Sequence, residues 1–336
     1  MKTKKFGHAV QRAVLEYPII LFVILAFIFG VAFVPYFLSA YNIKNICLQL
    51  CDLLIIACGY TFVQLNAGTD LSCTSILAVG SVIGGYVMVL SPLAAYPLLA
   101  TVVAIICVLL VGVIFGAINA FSVTRLKMPS FIVTMATMLI GSAFAKWFAS
   151  TIFGKTSIGG LPQAFRILGG YGDYFFVPII IALAMWLLAD FLLTKTKFGR
   201  DVYAVGTTPK AAHISGINVK RTIFLMFLLS AVYASVESVL LSARNQAAMS
   251  NLGSTMFLNI VSAVVSGGTS VSGGFGGVKQ TFLGSVFIVL INNAMNLIGV
   301  EWYTIMLAQG LLILLATIID YLVKNSRNGA RRQKKK

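Results

Sequence analysis

Acidic residues are scarce in this chain. Asp and Glu number 9 in 336 residues, and charged residues of both signs make up only 10%. That is too little polar surface to cover a water-soluble globule, so a soluble fold is excluded. Histidine occurs only as His8 and His213, and neither has neighbours that could complete a metal site. The five cysteines contain no Cys-x-x-Cys pair. Cys47, Cys51 and Cys58 fall on one helical face and read as small packing residues in buried helices. There is no Gly-x-x-x-x-Gly-Lys-Ser/Thr loop, so the chain does not hold ATP through a P-loop. His-Glu-x-x-His and Gly-x-Ser-x-Gly are absent too. With no nucleophile, base or metal set, the chain reads as neither an enzyme nor a cofactor carrier. The first apolar run is too long for a cleaved leader and lacks a small-x-small site, so it reads as a retained helix.

What is present is hydrophobic, at 59% of residues. A membrane-spanning helix needs about 20 apolar residues. Candidate runs lie at 18–38, 46–66, 73–90, 94–123, 128–150, 174–194, 222–243, 255–267, 278–298 and 302–323. The expected fold is all-α, a polytopic membrane bundle of about ten helices. It divides into an N-terminal segment 1–17, a transmembrane domain 18–323 and a basic tail 324–336. Lys and Arg collect in cytoplasmic loops. With the N-terminus inside, all of the 25 basic residues fall inside except Lys44, Lys146, Lys155, Arg166 and Arg244. Both termini are then cytoplasmic. The net charge of +16 reflects topology and contact with anionic lipid, and no nucleic-acid partner is expected.

The most hydrophilic interior segment is 195–221. Thr208 is placed to cap a short helix, Pro209 suits its first position, Lys210, Ala211, Ala212 and His213 continue it, and Gly216 suits its stop. A capped helix outside the bilayer is a docking element, and Ala211 and Ala212 are expected to pack on another protein. The exterior stretch 151–173 reads as a surface loop. A weak repeat relates Gly68, Thr69, Asp70, Leu71 and Ser72 to Gly268, Thr269, Ser270, Val271 and Ser272, the latter followed by Gly273. Each block interrupts an apolar run. Glycines let backbone leave helical geometry and hydroxyls satisfy the freed amides, so these blocks are candidate pathway or gate loops. Asp70 is expected to cap the helix beginning near Ser72 or to face the pathway. Glu237, about two turns from Arg244, is expected to hydrogen-bond a neighbouring helix, and Asp52 to serve a structural role.

The segments 68–72, 128–138, 196–206, 215–221, 264–274 and 292–300, in that order, resemble permeases of ribose/xylose/galactose-type ABC importers. The resemblance covers about residues 40–322. It implies a bacterial cytoplasmic-membrane subunit that works with a second permease copy or a sister permease, with cytoplasmic ATPases and with an extracytoplasmic solute-binding protein. It assigns ATPase coupling to 206–216 and the gate to the two Gly-rich blocks. The chain departs from the family pattern at Asn66 and Ala67, at Phe275 and at Glu237. Two other readings are an ion-coupled secondary transporter or channel, served by Asp70 and Glu237, and a branched-chain amino-acid permease.

Overall fold

A computed structural model describes residues 19–301, 303–311, 313, 314 and 318. The segments 1–17 and 324–336, and most of the tenth expected span beyond 311, lie outside the described residues. The helices are α1 (Ile19–Phe33), α2 (Ala40–Gln64), α3 (Ser72–Val89), α4 (Pro97–Thr124), α5 (Ser130–Phe148), α6 (Gln163–Leu168), α7 (Phe176–Lys195), α8 (Lys197–Thr207), α9 (Pro209–Ile214), α10 (Val219–Asn245), α11 (Met256–Ser266) and α12 (Val278–Leu297), followed by helix α13 at 303–311. Seven of these, α2 to α5, α7, α10 and α12, are long and apolar enough to cross a bilayer. The protein is an all-α, multi-pass membrane protein. Two further apolar helices are shorter, at 15 residues in α1 and 11 in α11.

Local chemistry sets the boundaries. Ser39 accepts from the Asn42 amide at 3.3 Å, so α2 starts at Ala40, earlier than the apolar run suggests. Pro97 opens α4 after a 3₁₀ turn at Pro92–Ala95. Thr196 accepts from Gly199 N at 3.2 Å and starts α8, and Asn218 accepts from Arg221 N at 3.0 Å and starts α10. The stretch expected to be an exterior loop is partly ordered. It holds a π turn at Ala149–Phe153, the helix α6, and a strand β1 (Ser157–Ile158) antiparallel to β2 (Ala248–Met249). The hydrophilic segment contains two helices, α8 and α9, where one was expected, because Val202 and Val205 give α8 a buried face.

Helix α10 is the mast of the bundle. It packs against α2, α3 and α4, and more lightly against α6 and α8. Small residues allow the approach. A Cβ at Gly112 of α4 would stand 2.6 Å from the Ala231 carbonyl, and one at Gly116 2.8 Å from Ala231 Cβ. Serines then tie the backbones. Ser238 donates to Leu77 O at 2.8 Å, and Ser242 meets Ser81 Oγ at 2.8 Å. On the other flank Asn42 and Asn293 exchange amide hydrogen bonds at 2.8 and 2.9 Å, and Asn259, Asn292 and Gln309 bond one another across α11, α12 and α13. The outward faces of α4, α5 and α7 carry exposed Leu, Ile and Phe, as a lipid-facing surface requires.

Candidate functional site

The loops that hold the two Gly-rich blocks converge. The first is the turn between α2 and α3, and the second is the loop between α11 and α12. Gly274 N donates to Leu65 O at 2.8 Å, and Gln64 Nε2 reaches Ser270 O at 3.5 Å. Gly273 and Gly274 adopt φ of 76° and 74°, a region other residues enter at a cost. A side chain would not fit at either. A Cβ on Gly273 would lie 2.8 Å from both Ala67 N and Leu65 O, and one on Gly274 2.7 Å from Thr207 Oγ1. The second loop also closes on itself. Thr269 Oγ1 accepts from Gly277 N at 3.2 Å, Ser270 N donates to Phe275 O at 3.0 Å, and Ser272 N donates to Ser270 Oγ at 3.2 Å. Thr269 and Ser270 are buried, whereas Gly268 and Ser272 are exposed.

The first turn is fixed by a polar chain. Asp70 is fully buried. Its Oδ1 accepts from Ser72 N at 3.1 Å and from Ser72 Oγ at 2.6 Å, and its Oδ2 accepts from Ser230 Oγ at 2.8 Å. Asn119 of α4 donates to Ser72 Oγ at 2.8 Å and accepts from Thr137 of α5 at 2.9 Å. Thr69 N donates to Ser130 Oγ at 3.2 Å and Thr69 O accepts from Thr134 Oγ1 at 3.1 Å. Gly68 is buried, with Ser130 beside it. Asp70 thus bonds the start of α3 and crosslinks α3 to α10.

The hydrophilic segment meets both blocks. A Cβ at Gly206 would collide with Leu65 O and stand 2.9 Å from Gly274 N, so the end of α8 lies directly on the junction. Tyr203 Oη donates to Gly276 O at 2.8 Å. Beyond α8, helix α9 projects with Thr208, Pro209, Lys210, Ala211 and Ile214 exposed. It borders an open groove of about 560 Å³ between Pro209, His213, Gly216, Ile217 and Val219. Gly216 has φ 80°, as the expected stop requires.

Three expectations need correction. Thr208 has the extended backbone of a cap, but its hydroxyl turns back to Thr207 O at 2.7 Å and leaves the α9 amides unbonded by it. Ala212 packs within this chain. It is buried where α9 folds against α8 and α10, so only Ala211 of the pair is free for a partner. The expected interhelical hydrogen bond of Glu237 is not made: among the described residues neither carboxyl oxygen has a partner, and Arg244, on the same helix, bonds Asp52 and Asn45 Oδ1, the latter at 3.0 Å. The Arg244–Asp52 pair joins α2 to α10. Among the described residues no His, Cys, Asp and Glu cluster could hold a metal.

Reading the sequence did not single out Tyr203, Leu65, Ser230 or Asn119. Tyr203 stood inside the polar segment, but nothing in its spacing pointed at Gly276, and Ser230 is one hydroxyl among many in an apolar helix.

Comparison with known proteins supplies the family. No solved structure matches the chain. A ribose import permease protein of Haemophilus influenzae is 34% identical over 288 residues, covering 85% of this chain and 87% of that protein. The ribose import permease protein of Bacillus subtilis is 35% identical over 290 residues, covering 85% and 86%. A galactose/methyl galactoside import permease protein of Haemophilus influenzae is 30% identical over 335 residues, covering 96% and 97%. A family described as branched-chain amino acid transport system / permease component matches residues 42–316. With these matches, and with seven apolar helices of spanning length among the described residues, the chain belongs to this family of transport-system permease components and is a transport subunit, not an enzyme.

Proposed function

We propose that the chain is the membrane subunit of an ATP-driven importer that moves a monosaccharide or related small polar solute inward by alternating access. The observation that carries this reading is the contact of α8 with the loops that hold the two Gly-rich blocks, at Leu65 O and Gly274 N, beside an exposed α9. An element with one face on a gate and the other free has the geometry of a transmission part. The named relatives supply the solute class: the matches to ribose and galactose permeases favour a sugar over an amino acid.

Under this reading the termini, α8 and α9 are cytoplasmic, α9 docks a separate ATPase through Thr208, Pro209, Lys210 and Ala211, and a binding protein delivers solute to the opposite face. A second permease, identical or a sister chain, completes the pathway. Gly68, Thr69, Gly268, Thr269, Ser270, Ser272 and Gly273 form the gate, with Asp70 and Ser72 as its fixed side. ATP closes the ATPase pair, α9 follows, and the bundle rocks between two discrete packings. The N-terminal segment, the transmembrane domain and the basic tail keep the boundaries 1–17, 18–323 and 324–336.

The test is reconstitution with the candidate ATPase and binding protein in proteoliposomes. ATP-dependent uptake of labelled ribose or galactose that stops when the ATPase is omitted is the expected result. Uptake driven by an ion gradient without the ATPase would replace this reading with that of a secondary transporter.

A further inference from the structure

The second Gly-rich loop is held at two points by two different helices. Where α12 begins, Trp186 of α7 donates its indole N–H to Val278 O at 3.1 Å, and Lys279 pairs with Asp190 of α7 at 3.7 Å. Two residues earlier in the loop, Gly276 O accepts from Tyr203 of α8. Helices α7 and α8 are not continuous. Thr196 stands between them in extended conformation, φ −104° and ψ 163°, and its hydroxyl, bonded to Leu192 O and Gly199 N, makes it the one-residue joint about which a swing of α8 would turn. A swing of α8 about this joint leaves Val278 pinned to α7 and draws Gly276 along with Tyr203. The strain falls on Gly276 and Gly277, whose φ values are 110° and 154°. Their lack of a side chain lets the backbone turn there.

The remaining contacts between α8 and the junction are steric. Gly206 abuts Leu65 O, and Thr207 abuts Gly274. A steric contact transmits a push and releases on withdrawal, whereas a hydrogen bond also transmits a pull. Among the described residues, the Tyr203–Gly276 bond is the one hydrogen bond from α8 or α9 to the loop 268–277. Burial, reinforced by nearby Asp190, raises the Tyr203 phenol above its ordinary value, so the hydroxyl keeps its proton and remains a donor at neutral pH.

We propose that Tyr203 is a positioning residue of transport: its hydroxyl tethers the loop 268–277 to α8, so that the return stroke of the ATPase draws the gate back as well as pushing it forward. This rests on the proposed function above. Through Gly274 N and Leu65 O the same pull reaches the α2–α3 turn, so one tether moves both Gly-rich blocks.

The experiment uses the complete complex with ATPase and binding protein in proteoliposomes. Tyr203→Phe keeps the ring and its packing and removes only the donor. ATP hydrolysis is expected to stay within about twofold of wild type, while ribose or galactose taken up per ATP falls about fivefold or more, the scale of one lost hydrogen bond. A second readout needs no solute. Phe275 is 60% exposed beside the tether. A cysteine placed by Phe275→Cys is labelled with an impermeant maleimide in inside-out vesicles, with the parent chain setting the background. Its labelling rate is expected to differ between ATP and ADP with Tyr203 present and to lose that difference in Tyr203→Phe. An unchanged uptake-to-hydrolysis ratio with an unchanged labelling response overturns the proposal. So does loss of ATPase association in Tyr203→Phe, which would make Tyr203 a docking residue. A parent complex that neither recruits the ATPase nor responds to nucleotide refutes the proposed function itself, and this inference falls with it.

Discussion

At the scale of single residues, Asp70 and Glu237 are both buried carboxyls with opposite surroundings. Asp70 accepts three hydrogen bonds, whereas both Glu237 oxygens are buried with no partner among the described residues. Asparagine can preserve most of the Asp70 set, since its Oδ1 still accepts from Ser72 and the Ser230 hydroxyl can turn to accept from its amide. Asp70→Asn is therefore expected to keep thermal stability in detergent within about 1 kcal/mol of wild type, and Asp70→Ala to lose about 2–3 kcal/mol by orphaning buried donors. Equal losses in the two variants would show that the charge itself is needed. Of these partnerships only that of Asp70 with Ser72 was legible in the sequence. Asp70 could be read as a cap because Ser72 stood two residues away. Its bond to Ser230, like the pairing of Asp52 with Arg244 192 residues apart, joins positions that only the fold brings together.

At the scale of elements, the spanning helices were legible as runs but not as faces. In a helix such as α4, apolar residues surround the axis, because lipid on one side and protein on the other select the same residue types. Which side meets α10 is decided by Gly112 and Gly116, and their role shows only in the packed structure. Helix α8 differs, because its outer side meets water and its Val202 and Val205 face is distinct. The short α9 was expected to offer both alanines to a partner, and the fold instead divides them. Ala211→Arg is expected to leave the thermal stability of the isolated subunit unchanged and to weaken ATPase association about tenfold or more. Ala212→Arg forces bulk into the contact with α8 and α10, and is expected to destabilise the subunit by about 1–3 kcal/mol before any partner is added. Thermal unfolding and co-purification, run on both variants, check the distinction, and equal behaviour of the two would contradict this assignment.

At the scale of the whole molecule, the two ends of the bundle are chemically unlike. One carries the turn at 125–128, α8 and α9 with their basic side chains. The other carries α6 and the small β1–β2 sheet. Under the proposed function the basic end faces the cytoplasm, as the positive-inside tendency expects. An impermeant thiol reagent applied outside intact cells is expected to modify Gly159→Cys, which lies in open space, and to miss Thr208→Cys until the membrane is opened. The reverse pattern would invert the topology. The junction of α8 with the two Gly-rich blocks has a consequence for how such a transporter diversifies. Its contacts are made largely by carbonyls, amides and absent side chains, at Leu65, Gly206, Gly273 and Gly274. Backbone groups are the same in every residue, so this joint places no demand on the chemistry of the cargo. Under the proposed function, side chains elsewhere along the route can then change from one sugar to another while this backbone junction keeps its form.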